Sequence, residues 1–509
     1  MDSQGLKALA RRRCLGVAEY ELADYQQIVD SVLDTIDGID TDAAEPVSHQ
    51  REGADRPSTE SRDAGRHPSP GEDPLNAVVR WCDARRDIEG PLSGVRVAVK
   101  DSMAVAGVPM TCGSRVLQGF VPTRDSVVVD RVLNAGGEIV AMANMDDLAF
   151  SGGGDSSFYG PTLNPFDAGR TAGGSSSGSA AGLHYDRIDM ALGTDQGGSI
   201  RVPAAWCGVL GLKPTYGLVP YTRIAGLDHT LDHVGPMART TLDLARLLQV
   251  VAGRHESDPR QRESTPDHDY VAAVTAAPED LAGIRIAAIT EGFGVEEETT
   301  AMVRTSIRQF ESLGAIVTEH SLPEHRGAAA PAFALFAEGM NALVDAGGNG
   351  YHWKGRYWPE LAVALGRGLR THADELSAQM KVALLVGSHL RERYFGSVYA
   401  TAQNRRENVT AGYERAFDEV DFLVMPTVPT CAHANDPSLP LPERVLRGWA
   451  VLANTTPTNL TGHPAITLPI GEAGGLPVGA MVVGPRFSEP GLLALAATYE
   501  RRFGWQPMV

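Results

Sequence analysis

GGSSSGSAAG, residues Gly173–Gly182, has the composition of a flexible connector but not the surroundings of one. Gly/Ser-rich runs occur in mobile linkers, in anion-binding nests that open a helix, and in loops that carry a catalytic serine. The flanking sequence decides between them. Downstream stands IDMALGTDQGGSIRVPAAWCGVLGLKPTYGLVP, Ile188–Pro220, in which a strand-like run leads into Gly197, Gly198 and Ser199 and then into apolar VPAAWCG. Two Gly/Ser turns flanking a short segment of buried character are not how a linker is built. The stretch is expected to be an ordered serine loop inside the fold.

A serine hydroxyl is a poor nucleophile until a base takes its proton. Gly174-Ser175-Ser176-Ser177-Gly178 matches the G-x-S-x-G elbow, which needs a strand directly before it; NPFDAGRTAGG, in that place, reads as loop. No acid and histidine pair stands out downstream, although His463 in LTGHPAI stays open as a base. A neutral lysine is the other candidate, since burial lowers a lysine pKa toward neutrality. In GVRVAVK, residues 94–100, Val95, Val97 and Val99 alternate with Arg96, Ala98 and Lys100, the period of a strand. Lys100 ends that strand on its polar phase, at the strand end where open α/β sheets place ligands. On pattern alone, a surface lysine is the simpler reading.

The rest of the chain sets bounds. Its 509 residues, 43% of them hydrophobic, allow one large α/β domain with smaller additions. No run approaches the about 18–20 unbroken apolar residues of a membrane span. The N-terminal MDSQGLKALARRRCLG lacks the apolar core of a signal peptide, which makes a cytoplasmic protein the expectation. A net charge of −18 argues against nucleic acid as a partner. Five cysteines without a C-x-x-C pair, and histidines without H-E-x-x-H, give neither a disulfide framework nor a metal site. Tyr25, Ile28, Val29, Val32, Leu33 and Ile36 mark one face of a helix over 25–36. Residues 38–75, polar and aperiodic, are expected to be a mobile connection, so that an N-terminal helical region occupies 1–90 and the main body 91–509. Strands are expected at 137–142, 188–193, 284–290, 421–425, 465–470 and 478–484, with helices at 125–136, 299–313 and 490–503. Alternating strands and helices mean an α/β sheet covered by helices on both faces.

Taken together, VAVKDSM, GGSSSGSAAG and GTDQGGSIRVPAAWCGVLGLKPTYG resemble the amidase signature family, whose members hydrolyse carboxamides with a Ser-cisSer-Lys triad. The resemblance runs from about Pro91 to the C-terminus and implies that family's large mixed β-sheet. Position by position it implies Lys100 as base, Ser175 as the middle serine after a cis peptide, and Ser199 as nucleophile; Ser175 and Ser199 stand at the family's spacing. Gln196, where most of the family carries threonine, together with GLVPYT, LDHVGPMART and LVMPT, is similar to the actinobacterial nitrile-hydratase-associated amidases. Their N-terminal helical region helps to form a homodimer, a part the helix at 25–36 is expected to play here.

From the same resemblance, the backbone N–H groups of Gln196, Gly197 and Gly198 are expected to form the oxyanion hole. Asp195 and Arg201 are expected to support the loop, Ser176 to bond Lys100, and Phe150 to line the substrate pocket. Trp206 and Cys207 read as core. The chemistry requires no cofactor and no metal, and its partner is a small-molecule amide or related acyl compound. The segments 332–343 (AFALFAEGMNAL) and 350–361 (GYHWKGRYWPEL) depart from the nitrile-hydratase-associated amidases where the acyl pocket is shaped. Esters, carbamates, anilides and hydrazides remain alternative substrates of the same triad. Membership of a transamidating complex, as its amidase-type component, is a further alternative, although such components typically carry glutamine where this chain has Val202.

Overall fold

The structure, a computed structural model, describes residues 2–36 and 60–505. The chain divides into two compact units, Met1–Ala54 and Asp55–Val509.

In the first unit, helices Ser3–Arg12 and Leu22–Ile36 contact each other. Asp2 caps the first by accepting from the Gly5 N–H at 2.7 Å. The second starts at Leu22, ahead of the expected Tyr25, and its Tyr25, Ile28, Val32, Leu33 and Ile36 are exposed.

Residues 37–59, part of the expected mobile connection, lie outside the described residues. From Glu60 onward that expectation is corrected. Strand β1 (Glu60–Arg66) pairs antiparallel with β2 (Val78–Arg86), and β2 with β4 (Glu138–Ala143), so the sheet begins well before Pro91. ESRDAGR forms a strand despite its polarity because it is the sheet edge, where charge is tolerated and discourages pairing with other chains. Arg62 also forks onto both Asp125 oxygens at 2.8 and 2.5 Å.

The remaining strands are β3 (Arg96–Lys100), β5 (Met190–Asp195), β6 (Leu210–Lys213), β7 (His233–Ala238), β8 (Arg285–Ile289), β9 (Ile316–His320), β10 (Phe422–Pro426), β11 (Ala465–Ala473) and β12 (Leu476–Val483). Among the described residues, all these strands form one mixed twelve-stranded sheet in the order β1-β2-β4-β3-β5-β7-β6-β11-β12-β10-β8-β9. The expected strands are all there within two or three residues at each end, except that β11 runs on to Ala473. Helices Val127–Asn134, Glu297–Ser312 and Glu489–Phe503 occupy their expected places.

Strands β6, β7 and β9, like β1 and β2, escaped the sequence reading. β7 (HVGPMA) hides behind Gly235 and Pro236, residues that argue against a central strand. It is tolerated because β6 pairs with β7 only at Met237 and Ala238, leaving the ladder open beside Pro236. Among the described residues, one helical run, Pro323–Asp345, is long and apolar enough to cross a bilayer by length and composition, and most of its apolar stretch is buried within the fold.

Candidate active site

Parallel neighbours β3 and β5 end side by side, with Lys100 closing one and Asp195 the other. β3 lies between β4 and β5 and is buried on both faces from Val97 to Lys100, so its polar phase does not meet solvent. Lys100 is fully buried. Its Nζ stands 2.8 Å from Ser175 Oγ, 2.8 Å from Thr194 Oγ1 and 3.5 Å from the Thr194 carbonyl. Burial pushes the amine down to about 7 against the opposing pull of Asp146 and Asp195.

Every residue from Gly173 to Gly182 is buried, as an ordered loop requires. A loop, not a strand, precedes it, and the peptide bond between Gly174 and Ser175 is cis. The elbow reading therefore lacks its strand. His463 is buried against Thr461, burial pushes its ring down to about 3, and it is not part of the cavity wall beside Ser199. Ser176 differs from expectation. Its hydroxyl donates to the Thr194 carbonyl at 3.1 Å and accepts from the Thr194 N–H at 3.2 Å, so it fixes the residue that holds Lys100 rather than Lys100 itself. The Ser176 N–H donates to the Ser199 carbonyl at 3.1 Å, which ties the two serine loops together.

The second loop is held from far along the chain. Thr455 and Thr456 hydroxyls both donate to the Gly197 carbonyl, at 2.6 and 3.1 Å. That turns the peptide so that, among the described residues, the N–H groups of Gln196, Gly197 and Gly198 make no hydrogen bond. Gly198 has φ +145°, and a Cβ there would stand 2.1 Å from Thr455 Oγ1, so only glycine fits. Asp195 receives Arg201 through two 2.9 Å bonds, the Ile200 N–H at 3.1 Å and Asn459 Nδ2 at 2.8 Å. Burial would raise its pKa, but Arg201, with Lys213 and Asn459, holds it well below the usual carboxylate range. Arg201 reaches onward to the Thr455 carbonyl, Thr458 Oγ1 and Asn459 Oδ1. Asn459, Thr455 and Thr456 were not anticipated.

Ser199 opens onto a cavity enclosing about 370 Å³, part of it open to solvent. Phe150, Gln196, Gly197, Phe333, Phe336 and Trp449 are among its walls. Phe150 meets Trp449 edge to face at 6.1 Å. Phe333 and Phe336 come from the expected 332–343 segment, through a π-helical turn, Leu335–Gly339. The other segment, 350–361, contributes nothing to this wall; its Trp353, Trp358 and Leu361 line a neighbouring hollow with Tyr221 and Arg260. Cys207 is buried beneath the loop, and burial pushes its thiol up, away from nucleophilic use.

The sequence profile of the Amidase family matches residues 76–493. The chain belongs to that family. An enantioselective amidase of Rhodococcus rhodochrous is 38% identical over 449 residues, 87% of this chain and 86% of that protein. A glutamyl-tRNA(Gln) amidotransferase component of Symbiobacterium thermophilum is also 38% identical, over 82% of this amidase and 86% of the relative. Among solved structures, peptide amidase from Stenotrophomonas maltophilia shares 27% identity at a TM-score of 0.70, covering 85% of this chain and 90% of that one. The fold is the amidase signature fold of these neighbours.

Proposed function

We propose that this amidase hydrolyses carboxylic amides to acid and ammonia through an acyl-serine, with Ser199 as nucleophile, Ser175 as proton relay and Lys100 as base. The observation that carries the reading is the 2.8 Å contact of Ser175 with a buried Lys100 whose amine burial brings down to about 7. Lys100 takes the Ser175 proton as Ser175 takes that of Ser199, and the freed Ser199 oxygen bonds to the amide carbon. The unpaired N–H groups of Gln196, Gly197 and Gly198 receive the oxyanion. As the C–N bond breaks, the proton returns through Ser175 to the leaving nitrogen. Water then attacks the ester along the same relay.

Release of ammonia from a panel of alkyl and aryl amides, by the wild type and Ser199→Ala together, tests this. Turnover by the wild type, lost in the variant, supports it. Esters, carbamates, anilides or hydrazides as the sole substrates would keep the triad and change the name.

The second reading, an ammonia-supplying component of a transamidating complex, is favoured by relatives such as the Symbiobacterium protein. Ammonia release by the purified chain alone sets it aside. Within the first reading the enzyme is a cytoplasmic homodimer, a second copy covering the exposed apolar residues of helix Leu22–Ile36. Sedimentation of the full chain against one lacking residues 1–36 checks that.

A further inference from the structure

We propose that the side-chain oxygen of Gln196 accepts a hydrogen bond from the departing nitrogen of the substrate, and thereby selects carboxamides over esters. This rests on the roles assigned above to Ser199, Ser175 and Lys100.

Gln196 lines the cavity beside Ser199 and is almost wholly buried. Its Nε2 donates to Tyr221 Oη at 2.9 Å, while Oε1 is buried without a partner among the described residues. The orientation of the amide follows from counting protons. A phenol has one hydrogen to give, and Tyr221 gives it to the Ala225 carbonyl at 3.2 Å. Toward Gln196 it can only accept, so Gln196 must present its NH₂ there and point its oxygen elsewhere.

The side chain also lies on the correct flank of the reaction. Gln196 follows Thr194 by two residues at the end of β5, and Thr194 Oγ1 is the second acceptor of Lys100 Nζ. Gln196 thus stands beside the residue that holds the lysine whose other partner is Ser175. The leaving nitrogen must sit by Ser175, which returns its proton. A buried acceptor left unpaired until a substrate N–H arrives favours molecules that bring one. An ester brings a lone pair to the same place, which faces the lone pairs of Oε1.

The test compares amides and methyl esters sharing each acyl group, from propionyl to benzoyl, on the wild type and on Gln196→Met, which keeps length and removes both polar atoms. The ratio of amide to ester kcat/KM is expected to fall about ten- to hundred-fold. Continued ester turnover also shows that the variant is folded. Equal losses on both substrates, or an unchanged amide-to-ester ratio, overturn the inference and leave the acyl-serine reading standing. A wild type active on esters alone overturns the inference and keeps the triad, and one active on neither class overturns both.

Discussion

Lys100 Nζ stands as close to Thr194 Oγ1 as to Ser175 Oγ, 2.8 Å in each case, with the Thr194 carbonyl completing the set at 3.5 Å. A neutral amine has two hydrogens and one lone pair. Thr194 can take both hydrogens through its hydroxyl and carbonyl, which turns the lone pair toward the Ser175 hydroxyl. Only the neutral form can receive that proton, and burial brings the amine down to about 7. Amide kcat/KM is therefore expected to rise tenfold per unit below about pH 7 and to level above it. A pH–rate profile from 5 to 10 checks this; a plateau reaching down to pH 5 would count against Lys100 as base.

The same burial has a stability consequence. Lys100 has a folded pKa of about 7 against 10.5 for an ordinary lysine, so between those values the unfolded chain binds the extra proton. Wild-type stability gains from this group as pH rises across that window. Lys100→Met removes the penalty and three hydrogen bonds, a net gain on the order of 1 kcal/mol near pH 7. Thermal melts at pH 7 and pH 10 should show the advantage shrinking at the higher pH. Activity should be lost at both.

Arg201 and Asp195 are both wholly inaccessible to solvent. Arg201→Met leaves the Asp195 carboxylate without its cation, at a cost of about 3–5 kcal/mol. Arg201→Met with Asp195→Asn should be less destabilised than the two single changes summed, because the stranded charge is gone. Urea unfolding of the four proteins measures the coupling. An additive result would mean that the pair does not hold the loop.

Gly198→Ala tests the loop geometry directly. Its Cβ would meet Thr455 Oγ1 at 2.1 Å, on a backbone at φ +145°. The peptide must shift, and with it the donors aimed at the oxyanion. A fall in kcat of about 10²–10³ is expected, with KM changed far less. Parallel losses in kcat and thermal stability would point to general unfolding instead.

What the sequence made legible follows how locally each feature is encoded. Lys100, Ser175 and Ser199 sit in long, unusual strings, and each string fixes its own turn. The cavity is half legible: Phe150 and the segment holding Phe333 and Phe336 stand out in the sequence, whereas Trp449 does not. Thr455, Thr456 and Asn459 escaped because their roles exist only after the C-terminal part packs on the loop; TTPTNL carries no motif of its own. Strand β1 was hidden by charge suited to an edge, and β7 by a proline that its partial pairing accommodates. Ser176 is expected to bond Lys100, but its hydroxyl is matched at both ends by the Thr194 backbone.

Asn459 also donates to the Asp195 backbone carbonyl at 2.9 Å, from a position 264 residues later in the chain. The loop that carries Ser199 is thus closed by chain that follows it by 254 to 264 residues, so a fragment ending before Thr455 lacks the contacts that hold Asp195 and the Gly197 carbonyl in place.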